Sequence, residues 1–160
     1  MLPEGFTLAL LIVIVLAVIF DYINGFHDTA NAIATSVATR ALRPHYAIAM
    51  AAAFNFIGAF AGTAVARTIG AGLVDERTTT QAIVAAALLG AIAWNVLTWF
   101  YGIPSSSSHA LIGGLLGATI VGAGGGAVKV DGVVNKVVLP MVTSPVLGFT
   151  IAFVLMVGLY

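Results

Sequence analysis

Six polar side chains recur along one short stretch of the chain: Asp21, Asn24, Asp28, Asn31, Thr35 and Thr39, spaced 3, 4, 3, 4 and 4 residues apart. Residues at these separations share one face of an α-helix. The helix begins in apolar sequence, with no charged residue from Gly5 to Phe20. Carboxylates and carboxamides on a helix inside lipid are costly, and such a stripe usually faces an ion or substrate path. Asp28 and Asn31, with Thr29 beside them, are the expected cation ligands, because carboxylate and carboxamide oxygens suit a hard ion such as Na⁺. Asp21, Asn24 and Thr35 would support them. Two other readings of Asp28 stay open: a carrier of a transported proton, or a polar side chain satisfied by a neighbouring helix. His27 lies off the stripe, and a packed histidine is as good a reading of it as a proton role.

The second constellation is Pro104-Ser105-Ser106-Ser107-Ser108-His109. Proline at the first helical position followed by serines predicts a helix start. The free N–H groups there, with the helix dipole, make an anion site. Ser105, Ser106, Ser107 and Ser108 add neutral hydroxyl donors. No lysine or arginine is close in sequence, so the anion would be held by dipoles and by a cotransported cation. The competing reading is a plain helix cap. A serine hydrolase is a further alternative, since Ser105 or Ser106 falls one turn from His109. Asn95, in an apolar stretch, reads as an interhelical hydrogen-bonding residue more readily than as a ligand.

Composition sets where these residues must sit. The chain has 160 residues, is 61% hydrophobic and only 8% charged, whereas a soluble domain averages about 25% charged. An all-α integral membrane protein follows, one membrane domain over residues 1–160 with no soluble domain. Zero net charge gives no reason to expect a nucleic-acid partner, and the absence of cysteine excludes disulfides and thiolate metal sites. A membrane-crossing helix needs about 20 apolar residues. The candidates are Phe6–Phe20, continued by the polar stripe to about Ala41, then Tyr46–Ala66, Thr80–Tyr101 and Val137–Tyr160.

Arg40-Ala-Leu-Arg43-Pro44-His45 should end the first segment, Arg67–Thr79 should be a polar loop, and Gly122–Lys136 a loop or short hairpin. The first segment is long for one span, and Gly25 predicts a break in it, tolerated only where the backbone is buried or lines a watery cavity. Residues 102–122 would form a half-helix, crossing once or returning as a re-entrant hairpin. The six basic residues divide evenly among the three loops, so no orientation follows from the positive-inside rule.

The run Gly25-Phe-His-Asp-Thr-Ala-Asn-Ala32 and the run Gly102-Ile-Pro-Ser-Ser-Ser-Ser-His-Ala110 resemble the two signatures of the inorganic phosphate transporter (PiT) family. Thr35-Ser-Val-Ala-Thr-Arg40 and Ser144-Pro-Val-Leu-Gly-Phe149 are similar to it as well. The resemblance implies a multi-pass protein of the plasma (inner) membrane that carries phosphate with Na⁺ or H⁺, with no cofactor beyond that ion. It implies that Asp28 and Asn31 bind the cation and that Ser105 to Ser108 bind phosphate. The family motif often has asparagine where His27 stands, which leaves the identity of the ion open. The family fold has two inverted halves, each with both motifs, and this sequence contains one copy of each. The chain is therefore expected to be one half: first a truncated gene product or fragment, second a half-length protein that pairs with a copy of itself. A passive channel or assembly subunit is the remaining alternative.

Overall fold

The computed structural model describes residues 7–60 and 72–159, and among these every extended element is helical. The first helix, α1, runs Leu8–Ala38, capped by the Thr7 hydroxyl, which accepts the Leu10 amide at 3.2 Å. It passes through Gly25 without a break, which corrects the expected discontinuity there. A glycine inside a helix costs only about 1 kcal/mol relative to alanine, and no proline lies between Leu8 and Ala38. The Thr29 hydroxyl also donates back to the Gly25 carbonyl.

As expected, the Arg40–Pro44 joint ends α1. Arg40 takes a left-handed backbone, φ 59°, and Pro44 opens the next helix, α2 (Pro44–Ala59). Proline suits that first position because its missing N–H would have no partner there. Residues 61–66 of the expected second span lie outside the described residues, as does the start of the Arg67–Thr79 loop.

The third helix, α3 (Gln81–Phe100), is capped by Thr80 and matches the expected span within one residue at each end. A turn follows, closed by the Ile103 amide on the Thr98 carbonyl at 2.8 Å, with Gly102 at φ 64°. The fourth helix, α4, is Ser107–Ala123. Pro104 therefore lies ahead of the helix rather than at its first position. Ser106 is the cap, its hydroxyl accepting the His109 amide at 3.3 Å. Serine wins this position because its side-chain oxygen can take a first-turn amide, which proline cannot do.

Helices α3 and α4 form an antiparallel hairpin. Ser105 meets Trp94 near the tip, Gly114 lies on Gly90 and the Ala87 backbone midway, and Gly122 lies against Ile83 at the far end. Residues 107–123 are thus one helix paired with α3, not a re-entrant pair in themselves. Helix α1 runs parallel to α3, with Thr7 bonded to Gln81, Phe20 packed with Leu88 and Ala91, and Phe26 edge-on to Trp99 at 5.5 Å.

The segment expected as a loop at 122–136 is only partly one. A short 3₁₀ turn (Gly125–Ala127) leads to an antiparallel bridge between Val74 and Val128. Helix then resumes as α5 (Val130–Val133), widens into a π-turn (Val134–Val138) and continues as α6 (Leu139–Leu159). After Gly132 no glycine or proline interrupts residues 133–139, so the helix runs on into the apolar segment. Among the described residues, three helices are long and apolar enough to cross a membrane: Leu8–Ala38, Gln81–Phe100 and Val130–Leu159.

Candidate phosphate and cation site

Ser107 is the first residue of α4 and is 1% exposed. Its hydroxyl donates to Asp28 Oδ1 of α1 at 3.1 Å. The same carboxylate oxygen lies 3.2 Å from His27 Nδ1, and His27 Nε2 lies 3.3 Å from Thr98 Oγ1 of α3. A carboxylate only accepts, so the Asp28 contact calls for a hydrogen on Nδ1, while the direction of the Nε2–Thr98 contact follows the tautomer, because the one Thr98 hydroxyl hydrogen also has the Trp94 carbonyl as an acceptor at 2.9 Å. Three helices thus meet at one polar chain: Ser107, Asp28, His27, Thr98. Its members are buried except Asp28, which is half-buried.

The four serines do not act as one patch. Ser105 accepts the Trp94 indole N–H at 3.0 Å, and Ser106 caps α4. Both line, with Trp94, His109 and the glycines 90, 113 and 114, a groove of about 420 Å³ along the hairpin. Ser107 turns to Asp28, and Ser108 is exposed. Successive helical residues diverge by about 100°, which is why adjacent serines part company. The amides of Ser107 and Ser108 belong to the first turn, where N–H groups have no acceptor within the helix.

The polar stripe is also divided. Asn24 and Asp28 turn inward, and Asp21, Asn31, Thr35 and Thr39 are exposed. Asn31 borders a separate recess of about 170 Å³ beside His27, Thr98 and Pro104. Thr29 is half-buried and spends its hydrogen on its own helix. Asn95 is fully buried, and neither side-chain polar atom has a partner among the described residues. Sequence reasoning missed Thr98, although it follows Asn95 by three residues and so extends a polar face in an apolar span. Nothing in the sequence pairs Trp94 with Ser105. Among the described residues no three His, Cys, Asp or Glu side chains cluster as a metal site.

The sequence profile of the phosphate transporter family matches residues 24–160, which include every residue of this polar chain. The chain belongs to the phosphate transporter family. It is 53% identical to a "probable low-affinity inorganic phosphate transporter" of Streptomyces halstedii, over 93% of this chain and 70% of that protein. It is 50% identical to a Bacillus subtilis protein of the same description, over 91% of this chain and 44% of that one. A solved structure titled "The sodium-dependent phosphate transporter" superposes with a TM-score of 0.86 at 32% identity, covering 94% of this chain and 38% of that one. The chain thus spans less than half of two of these three relatives, 44% and 38% of their lengths.

Family membership makes this a multi-pass integral membrane protein and a transporter-type chain, not an enzyme. Of the two serines in the hydrolase alternative, Ser106 accepts the His109 backbone amide as a helix cap and Ser105 accepts the Trp94 indole hydrogen.

Proposed function

We propose that the protein carries inorganic phosphate across the membrane together with a cation, and that this chain supplies one membrane half of the transporter. The observation that carries the reading is the Ser107–Asp28 hydrogen bond, which puts an anion-binding helix start beside a carboxylate. Phosphate would take the first-turn amides and serine hydroxyls of α4. Asp28 would then repel it: two unit charges 4 Å apart at an effective dielectric of 20 differ by about 4 kcal/mol. A cation bound at Asp28 removes that repulsion, so each ligand raises the affinity for the other. The site therefore favours loading of both or neither, which is what symport requires.

Sodium is the favoured ion, because the solved relative is described as sodium-dependent and carboxylate and carboxamide oxygens suit it. The exposed members of the stripe, Asp21, Asn31 and Thr35, suit contact with a second half, from the same chain type or another. The test is uptake of radiolabelled phosphate into proteoliposomes under an imposed Na⁺ or H⁺ gradient. Saturable uptake that follows one gradient supports the proposal. Uptake that neither saturates nor responds to a gradient supports a passive channel instead.

A further inference from the structure

We propose that the coupling cation is held by the carboxamides of Asn24 and Asn95 together with Asp28. This rests on the cation-coupled reading above and names its ligands. Asn95 is 0% exposed, and neither its Oδ1 nor its Nδ2 has a hydrogen-bond partner among the described residues. The enclosed Oδ1 of Asn24 is likewise without a partner among them. Buried polar atoms are nearly always satisfied, so an orphan invites an occupant. Exchanging O and N of the Asn95 amide changes nothing, since both are orphaned.

The two asparagines lie at one level of the bundle. His27 and Thr98 touch across the parallel α1–α3 interface, and Asn24 and Asn95 each stand three residues before them, about one turn along. Asp28 is one turn beyond Asn24 on the same helix. Its Oδ1 is engaged by Ser107 and His27, which leaves Oδ2 for a ligand. A set with one carboxylate and two neutral oxygens matches a small monovalent cation. A divalent ion normally recruits more charge. Asn31, the residue that motif spacing favours, is exposed and borders a different recess.

The test measures cation binding without phosphate. The whole chain in nanodiscs is titrated with NaCl against choline chloride at constant ionic strength, with thermal unfolding and Trp fluorescence as readouts. Trp94 and Trp99 lie on α3, one and four residues from Asn95, so their emission serves as a second readout of the helix that carries it. A hundredfold excess of Na⁺ over its dissociation constant should raise the unfolding temperature by about 5–10 °C in the wild type. The rise should vanish in Asn95→Ala and Asn24→Ala. Asn95→Asp, which keeps shape and oxygen, should retain it, and with Asn24→Ala it decides the matter if Asn95→Ala does not fold. A rise that persists in Asn24→Ala and Asn95→Ala overturns the proposal. So does a rise lost in Asn31→Ala but kept in Asn95→Ala, or no rise in the wild type, which would leave water as the occupant. Phosphate uptake, measured separately, decides the symport reading whichever way this falls.

Discussion

His27 Nε2 lies 3.3 Å from Thr98 Oγ1, a contact between residues 71 apart in sequence. The contact locks the register of α1 against α3. It also orients the imidazole, whose other nitrogen meets Asp28 at 3.2 Å. The Thr98 hydroxyl lies 2.9 Å from the Trp94 carbonyl and 3.1 Å from that of Asn95, so the histidine is tied to a whole turn of α3. The position of the Asp28 carboxylate is therefore set by a helix other than its own.

Replacing either partner should uncouple that arrangement. His27→Ala and Thr98→Val should each destabilise the fold by about 1–3 kcal/mol, Thr98→Val because it strips buried His27 Nε2 of its contact and His27→Ala because it removes a buried side chain that contacts both Asp28 and Thr98. Together they should cost less than the sum, with a coupling of about 0.5–3 kcal/mol. Thermal unfolding of the four proteins in detergent measures it. Strict additivity would mean that the contact carries no energy.

Ser107 and Asp28 should matter differently to transport. Asp28→Asn removes the charge that a cation answers, so gradient-driven phosphate uptake should fall at least about tenfold and lose its cation dependence. Ser107→Ala deletes one hydrogen bond to a charged group, about 1.5–3 kcal/mol, which corresponds to roughly 10- to 100-fold in transport efficiency. Ser108→Ala, at an exposed position, should have the smaller effect. Uptake rates over a phosphate series in proteoliposomes check all three.

Much of this was readable in the chain itself. The span at 81–100 follows from its apolar length and the capping Thr80, and the α1–α2 joint follows from Arg43-Pro44. Asp28 and the serine run stand out because polar atoms in apolar sequence need a reason. The unread part depends on which helix faces lie together. Sequence places Asp28 and Ser107 in the same class of residue, but the register between α1 and α4, 79 residues apart at this contact, is set by packing. The same holds for the division of the serines, where the register of α4 on α3 decides which hydroxyl points to α1. The break expected at Gly25 failed because a lone glycine is too weak a signal against an uninterrupted hydrogen-bond ladder.

The α3–α4 hairpin depends on close approach at Gly114. A Cβ added there would collide with the Ala87 carbonyl oxygen, which is backbone and cannot turn aside. Gly114→Ala should therefore force the helices apart, lower the unfolding temperature and displace Ser107 from Asp28. Gly113→Ala, where a Cβ meets nothing within 4 Å, should be neutral or stabilise by up to about 1 kcal/mol through helix propensity. Equal destabilisation by both substitutions would mean that helix contact is not what Gly114 provides.

The division of the serine run makes a last prediction. Ser105 belongs with Trp94 on the outer groove of the hairpin, and Ser107 with Asp28 at the junction of three helices. Trp94→Phe removes the indole donor to Ser105 while keeping an aromatic ring. Ser105→Ala removes the acceptor. Either change should loosen the turn before α4 by about 0.5–1.5 kcal/mol, the net worth of one hydrogen bond, and the double variant should do no more than the larger single one. Because neither side chain touches Asp28, the cation concentration giving half-maximal phosphate uptake should stay within about twofold of wild type, whereas Ser107→Ala should move it. If Ser105→Ala shifts cation dependence as far as Ser107→Ala does, the four hydroxyls act as one site and the separation of the two faces is functionally empty.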